Sequence, residues 1–218
     1  GQEMQKGPLY ILGAGNQSKV LLSMLEECGR ECAGIFDDDE NLAGDLWGCP
    51  IRGRISDVPD IEATEAVIAI GDNMTRKVIS CKFRNVRWAV LIHPAACIHP
   101  SVNLREGSVI FPGTIIHAGA SAGRHVIINS GSVVGYETMI GDYSHVGMGS
   151  IIADKVIVGE NVLLGMGTVV IPKVHLFDDV TIGAGSTIIK NLGPGGVYVG
   201  NPARRVLRPI IDTEEAEQ

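Results

Sequence analysis

The chain has few aromatic residues, no long apolar run and an excess of negative charge. Aromatics make up 5% of its 218 residues, and the formal net charge at pH 7 is −7. No run of lysines and arginines could follow a phosphate backbone, so nucleic acid is not expected as a partner. Because no stretch of about 18 apolar residues occurs, the sequence predicts no membrane-spanning segment.

The five cysteines lack the spacing of a metal site. Cys28 and Cys32 are four residues apart, but no second pair of cysteines or histidines follows to complete a zinc site. No segment has the pattern of a signal peptide. We therefore expect reduced thiols, a cytoplasmic protein and no bound metal.

The first part of the chain alternates predicted strands with predicted helices. Apolar runs predict strands at 8–13, 32–39, 66–73 and 88–94, and helical periodicity predicts helices at 17–29 and 75–83. This order predicts a small parallel sheet with helices, of the Rossmann type, over residues 1–92.

From Ile98 onward, an aliphatic residue recurs at every sixth position without a break. The sixteen positions are Ile98, Leu104, Ile110, Ile116, Ala122, Ile128, Val134, Ile140, Val146, Ile152, Val158, Leu164, Val170, Leu176, Ile182 and Ile188. Two residues before each of them, from Leu104 onward, lies a Val, Ser, Thr or Ala. Such a hexapeptide repeat predicts a parallel β-helix over 93–208, with about 18 residues in each triangular coil. The acidic tail, 209–218, is expected to be disordered.

Several motifs narrow the class further, namely ILGAGNQSKV (11–20), INSGSVV (128–134), IGDYSHVGMGS (140–150) and VGNPARRV (199–206). With the repeat, they resemble the left-handed β-helix acyltransferases, and within these the bacterial sugar-nucleotide N-acetyltransferases of the PglD type. Sialic acid O-acetyltransferases of the NeuD type are close relatives and an alternative. The resemblance implies a homotrimer that transfers acetyl from acetyl-CoA to the amine of a UDP-, GDP- or dTDP-linked 4-amino-4,6-dideoxy sugar, by direct attack.

The resemblance also implies which residues form the site. The sugar nucleotide would contact Gly13, Gly15, Asn16, Asp37, Asp38, Gly71, Asp72, Arg76 and Asn129. Acetyl-CoA would contact His145, Asp154, Gly165, Lys190, Gly200, Pro202, Ala203 and Arg204. The residues themselves leave alternatives: the glycine turn also fits a plain tight turn, Arg76 fits an exposed helix face, and Asp154 fits an outward-facing turn.

The position of the family's catalytic histidine departs from the family pattern, as do Asn16 and Gln17 after the glycine turn and Asp154, where similar enzymes often have glycine. Where similar enzymes carry a histidine beside a glutamate, this chain has Tyr136 beside Glu137. An imidazole, with an ordinary pKa of ~6.5, accepts a proton at neutral pH, whereas a phenol, at ~10, is a weak base that an adjacent carboxylate does not help to ionise.

Three interpretations of Tyr136 stay open. The protein is an active acetyltransferase in which another group or water accepts the proton, with His145 as the reserve candidate. Alternatively, Tyr136 is an engineered replacement of histidine, or the protein is a catalytically impaired trimer that binds sugar nucleotides. A zinc site involving His99 and His117, which are 18 residues apart, is not predicted because no third ligand has suitable spacing.

Overall fold

A six-stranded sheet with two helices forms the N-terminal domain of the computed structural model, which describes residues 9–207. Its elements are β1 Leu9–Leu12, α1 Asn16–Glu27, β2 Cys32–Phe36, β3 Asp45–Leu46, β4 Cys49–Gly53, β5 Glu65–Ile68, α2 Asn73–Ser80 and β6 Arg87–Trp88, with a 3-10 turn at Ile55–Asp57. The strand order is β3-β4-β2-β1-β5-β6, and all pairs are parallel except β3 with β4. The predicted acidic tail at 209–218 lies outside the described residues.

Two parts of this domain differ from the prediction. The segment 45–53, for which no strand was predicted, forms the β3–β4 hairpin at the sheet edge. The strand predicted at 88–94 is divided: Arg87–Trp88 closes the sheet as β6, whereas Leu91–Ile92 forms β7 and pairs with a strand of the second domain. The β-helix therefore begins two residues before the predicted boundary at residue 93. Its first strand, β7, precedes the strand that contains the first predicted repeat position, Ile98.

The second domain is a parallel β-helix whose short strands stack into three faces. Face 1 contains β7 Leu91–Ile92, β10 Val109–Ile110, β13 Ile127–Ile128, β16 His145–Val146, β19 Leu163–Leu164, β22 Thr181–Ile182, β24 Val197–Val199 and β25 Arg204–Val206. Face 2 contains β8 Cys97–Ile98, β11 Ile115–Ile116, β14 Val133–Val134, β17 Ile151–Ile152, β20 Val169–Val170 and β23 Thr187–Ile188. Face 3 contains β9 Asn103–Leu104, β12 Ser121–Ala122, β15 Met139–Ile140, β18 Ile157–Val158 and β21 His175–Leu176.

The predicted repeat sets the register of this β-helix. Each of the sixteen strands from β8 to β23 ends on one of the predicted aliphatic residues, which confirms the pattern. Hydroxyl groups inside the prism link one coil to the next: Ser132 Oγ donates to Gly147 O (3.0 Å) and Thr138 Oγ1 to Ala153 O (2.7 Å). These small polar residues are fully buried, and their hydroxyls are hydrogen-bonded, so they fit the narrow interior without leaving an unpaired polar atom.

The N-terminal domain packs against face 1. The outward side chains of Leu91, Val109 and Ile127 are at most 2% exposed and share one apolar cluster with Leu9 and Leu21 of the N-terminal domain. The two domains thus have a common core, which fixes the edge of the sheet against the β-helix.

The expectation that all five cysteines are reduced thiols is wrong for one pair. Cys32 and Cys49 form a disulfide, with their Cα atoms 5.8 Å apart. They begin β2 and β4, which are neighbours in the sheet, so the fold brings together residues 17 apart in the sequence. Spacing alone could not show this pairing because it depends on strand order.

Candidate active site

Most of the predicted sugar-nucleotide residues meet at one edge of the N-terminal sheet. The segments 13–16, 37–38 and 71–72 follow β1, β2 and β5, which are three adjacent parallel strands. The chain crosses from β1 to β2 on one side and to β5 on the other, so this edge is a topological switch point. Ligands of open α/β sheets bind in the crevice at such a point.

Close packing shapes the glycine turn after β1. Gly13 has φ +107°, and a Cβ there would lie 3.0 Å from Ala69 O, so a side chain is not tolerated. Ser18 replaces the last glycine of the dinucleotide fingerprint; it is fully buried and its hydroxyl donates to Gly13 O. Asp37 Oδ2 accepts a hydrogen bond from Ala14 N at 2.6 Å. This carboxylate therefore fixes the turn.

The other acids at this edge also organise backbone. Asp38 Oδ1 accepts from Ile55 N at 3.0 Å. Asp72 caps α2, because its Oδ1 accepts from Thr75 N at 2.7 Å. Hydrogen bonding with the Thr75 side chain, and then with its backbone amide, lowers the pKa of the Asp72 carboxyl. Both carboxylates thus define the shape of the crevice.

Arg76 is a correction to the predicted site, because it is neither on an exposed helix face nor available to a pyrophosphate. Its side chain is 1% exposed. The guanidinium donates to five acceptors, which are the carbonyls of Ile70 (3.1 Å), Gly71 (3.0 Å), His125 (3.0 Å) and Tyr143 (2.7 Å) and Asn73 Oδ1 (2.8 Å). All five of its donors are therefore engaged within the chain, and the side chain ties α2 to the β-helix backbone.

His145 lies where the crevice meets face 1. Its Nδ1 is 3.2 Å from Gly71 O, and because a carbonyl only accepts, this contact places the proton on Nδ1 and leaves Nε2 as the acceptor. Burial, and then the charge of Arg76, lower the pKa of His145 to about 4. The ring is therefore neutral at pH 7. It can bind a ligand there, but it is a weaker base than an ordinary imidazole.

Tyr136 and Glu137 lie in the turn between β14 of face 2 and β15 of face 3, which we call the 2–3 corner (135–138). The phenol ring is 50% exposed and packs against the ring of His117 on the preceding coil, with centroids 4.7 Å apart and planes 33° apart. Glu137 does not contact this imidazole: its Oε2 pairs with Lys155 Nζ at 3.3 Å. The glutamate–imidazole pair that the family resemblance implies is therefore not formed at this corner, although His117 supplies an imidazole there.

Asp154 lies directly beside Tyr136 on the next coil, as its spacing of 18 residues predicts. Its Oδ1 accepts from Tyr136 N at 2.9 Å. The same contact recurs elsewhere in the β-helix: Asp142 accepts from Arg124 N and Asp178 from Glu160 N, both at 2.8 Å. The recurrence favours a structural role for Asp154 as a turn residue that fixes the backbone of Tyr136.

The remaining predicted site residues of the β-helix are divided between surfaces. His145 projects from face 1, and Asn129 follows β13 at the corner between faces 1 and 2, where its Oδ1 accepts from Ser130 N. Tyr136 occupies the 2–3 corner, across the prism from face 1. One chain alone therefore does not bring Tyr136 and His145 together.

A cationic cleft forms at the C-terminal end. Lys190, Arg204 and Arg205 line it, and the antiparallel β24–β25 hairpin, with Gly200 at φ +101°, positions the two arginines. Pro202 lies in the turn of this hairpin. The predicted Ala203 is 3% exposed and its N donates to Thr187 O, so it anchors the hairpin to the last coil.

Gly165 is a packing position. A Cβ there would lie 2.5 Å from Ala184 N, on the adjacent coil. Within residues 9–207, no group of three His, Cys, Asp or Glu side chains is arranged to hold a metal ion. None of the helices described in that range has the length and apolar character that crossing a bilayer requires.

Known families match both domains. The PglD N-terminal domain family matches residues 8–83, and the bacterial transferase hexapeptide (six repeats) family matches residues 155–190. The solved structure of perosamine N-acetyltransferase from Caulobacter crescentus, in complex with CoA and GDP-perosamine, superposes with a TM-score of 0.87 at 34% identity, covering 92% of this chain and 97% of that one. Variants of that enzyme with one histidine changed to asparagine or alanine match equally well.

Two further relatives extend the comparison. The acetyltransferase domain of PglB from Neisseria gonorrhoeae, in complex with acetyl coenzyme A, superposes with a TM-score of 0.86 at 26% identity, covering 91% of this chain and 98% of that one. An uncharacterized protein of Acanthamoeba polyphaga mimivirus is 35% identical over 101 residues, which are 46% of this chain but only 20% of that longer protein.

Fold and site together define a hexapeptide-repeat acyltransferase with an N-terminal α/β domain. Within that class, the chain belongs to the PglD-type sugar N-acetyltransferases, because the match to perosamine N-acetyltransferase spans both domains at 34% identity.

Proposed function

We propose that this protein transfers acetyl from acetyl-CoA to the amino group of a nucleotide-linked 4-amino-4,6-dideoxy sugar, in the cytoplasm. The main support for this proposal is a structural match that extends over 92% of the chain, to a perosamine N-acetyltransferase in complex with CoA and GDP-perosamine. GDP-perosamine is therefore the first acceptor to test. UDP- and dTDP-linked sugars follow, because the backbone contacts of the crevice do not by themselves select a base.

The two co-substrates would occupy separate parts of the chain. The N-terminal domain, which precedes β7, would bind the nucleotide at the switch-point crevice, where α1 directs its first backbone amides toward the phosphates. The β-helix and its C-terminal loop, 93–208, would bind acetyl-CoA. There Lys190 and Arg204 in the cationic cleft suit the phosphates of CoA.

The reaction would proceed by direct attack in a ternary complex. The neutral amine attacks the thioester carbonyl, a group on the protein accepts the amine proton, and a donor stabilises the oxyanion. No cysteine lies between Cys97 and the end of the chain, so the 2–3 corner offers no thiol as an acyl carrier.

The site would be completed by a second copy of the chain, in a homotrimer. Face 2 carries an outward row of exposed apolar side chains, with Ile115, Ile151 and Val169 at 39%, 49% and 37% exposure. Covering such a row with a neighbouring copy of the chain is a common reason for homo-oligomers. Association along face 2 would also bring the 2–3 corner of one copy toward face 1 of the next, and thus Tyr136 toward His145.

The assembly is tested by light scattering on two matched variants. Ile151→Glu places a charge in the apolar row of face 2, and we expect monomers. Ile157→Glu places the same charge on face 3, where the side chain is 39% exposed, and we expect the trimer to persist. The opposite pattern would contradict the assignment of face 2.

The activity is tested by release of free thiol from acetyl-CoA with GDP-, UDP- and dTDP-linked 4-amino sugars. The chain and its Tyr136→His variant are compared in parallel. Turnover by either form with any acceptor supports the acetyltransferase. If both forms bind the sugar nucleotide but neither turns over, the protein is instead a catalytically impaired protein that binds sugar nucleotides.

A further inference from the structure

The histidines of this chain differ in how fully their rings are engaged. His93 pairs with Glu27 (2.7 Å), His99 with Ser101 (2.9 Å), His145 with Gly71 (3.2 Å), His125 is 2% exposed against Tyr143 and Trp88, and His175 stacks on Phe177 (3.8 Å between centroids). His117, like His175, makes no side-chain hydrogen bond or ion pair within residues 9–207, and its ring contacts that of Tyr136. Both of its ring nitrogens are thus available to an outside group.

The position of His117 is fixed by the coil repeat. Its N donates to Val134 O at 2.9 Å, so His117 lies opposite Gly135 and one residue from Tyr136 on the neighbouring coil. Adjacent strands are about 4.8 Å apart, and the ring of His117 lies 4.7 Å from that of Tyr136. An imidazole is therefore held within one coil spacing of the position where similar enzymes carry their histidine.

Building on the proposed function, we propose that His117 is the general base of the acetyl transfer, in place of the histidine that Tyr136 replaces. The amine lone pair attacks the thioester carbon, forming the C–N bond while the carbonyl becomes an oxyanion. His117 takes the proton from the amine nitrogen. The oxyanion then collapses, the C–S bond breaks, and the CoA thiolate takes that proton from the imidazolium, which leaves the amide and free CoA.

In this scheme, Tyr136 is a positioning residue. Its ring packs against His117 and restricts the orientation of the imidazole, and an aromatic face also favours a cation held beside it. The titratable and charged groups around His117 are His99 on the preceding coil and Tyr136, Glu137, Asp154 and Lys155 on the following coils. Glu137 and Lys155 neutralise each other, so neither leaves an unbalanced charge next to the imidazole.

The test compares His117→Asn with the matched control His175→Asn, using GDP-perosamine and acetyl-CoA. Asparagine keeps a polar side chain of similar reach but cannot accept a proton at neutral pH. We expect kcat of His117→Asn to fall by about 100-fold or more, with acetyl-CoA binding by calorimetry unchanged, and the acidic limb of the pH–rate profile to disappear. We expect His175→Asn to keep both the rate and the profile.

Two further variants distinguish a failure of the His117 inference from a failure of the proposed function. Tyr136→His in the His117→Asn background restores an imidazole to the corner, and we expect it to recover activity; Tyr136→Phe keeps the ring and should lose less than about tenfold. The inference is overturned if His117→Asn retains the rate and pH profile of the parent chain, or if Tyr136→Phe loses as much as His117→Asn. It is also overturned if the parent is silent while Tyr136→His turns over, which leaves the proposed function intact. Silence of the parent and Tyr136→His alike with GDP-, UDP- and dTDP-linked 4-amino sugars would refute the function itself.

Discussion

Replacing Arg76 with methionine should lower the stability of the protein and cause the two domains to unfold in separate transitions. Arg76 is 1% exposed and donates to four backbone carbonyls and one side-chain oxygen, in both the α2 region and the β-helix. Methionine has a similar length but no donor. Each carbonyl left buried without a donor costs about 1–3 kcal/mol.

Relief of desolvation offsets part of this cost. Burial lowers the pKa of Arg76 from 12.5 to about 10, so the residue remains a cation at pH 7 but carries a penalty of roughly 3 kcal/mol in the folded state. Three of the four carbonyls would be left without a donor, because Gly71 O also accepts from His145 Nδ1, and those three together outweigh that penalty. We expect Arg76→Met to lower the free energy of unfolding by roughly 3 kcal/mol or more, which is a large share of the stability of a typical domain.

The measurement is urea unfolding at fixed protein concentration, followed by tryptophan fluorescence for the N-terminal domain and by far-UV circular dichroism for the whole chain. Both tryptophans, Trp47 and Trp88, belong to the N-terminal domain. We expect the two transitions to coincide in the parent and to separate in Arg76→Met. The exposed Arg105→Met serves as the control and should change stability by less than about 0.5 kcal/mol. A loss below about 1 kcal/mol in Arg76→Met would refute the reasoning.

Three other outcomes follow from the buried groups. Thr138→Val removes a hydroxyl that bonds two backbone groups inside the prism and should cost about 1–3 kcal/mol in urea unfolding. Reductant should lower the stability of the N-terminal domain by about 3 kcal/mol, because the Cys32–Cys49 bond closes a loop of 17 residues; an unchanged urea midpoint would contradict this. Burial lowers the pKa of His125 and His145 to about 4, so their contribution to stability is complete above pH 6.5 and is lost as pH falls toward 4. At pH 5 each should cost roughly 2 kcal/mol in the same assay, and flat stability between pH 7 and 5 would contradict the burial of neutral rings.

The sequence predicted the β-helix almost completely because each hexad carries its own register. An aliphatic residue every sixth position specifies which side chain points inward, independently of any distant contact, so the strands from Ile98 to Ile188 were found as expected. The features that were missed depend on distant neighbours. The Cys32–Cys49 bond follows from the order of strands in a sheet, and the burial of Arg76 follows from the docking of α2 onto the turns between faces 3 and 1. Neither leaves a local pattern in the sequence.

For the same reason, the presence of Tyr136 in place of a histidine does not by itself show that the 2–3 corner lacks an imidazole. In a β-helix, residues about 18 apart in the chain are neighbours in space, as the contact between Tyr136 N and Asp154 shows. A functional group can therefore move to the next coil and remain at the same corner, whereas a comparison of single positions registers only its loss. His117, 19 residues before Tyr136, is such a group, and it was considered at first only as a metal ligand. In this fold, the presence of a base should be judged along columns of stacked coils as well as at single positions.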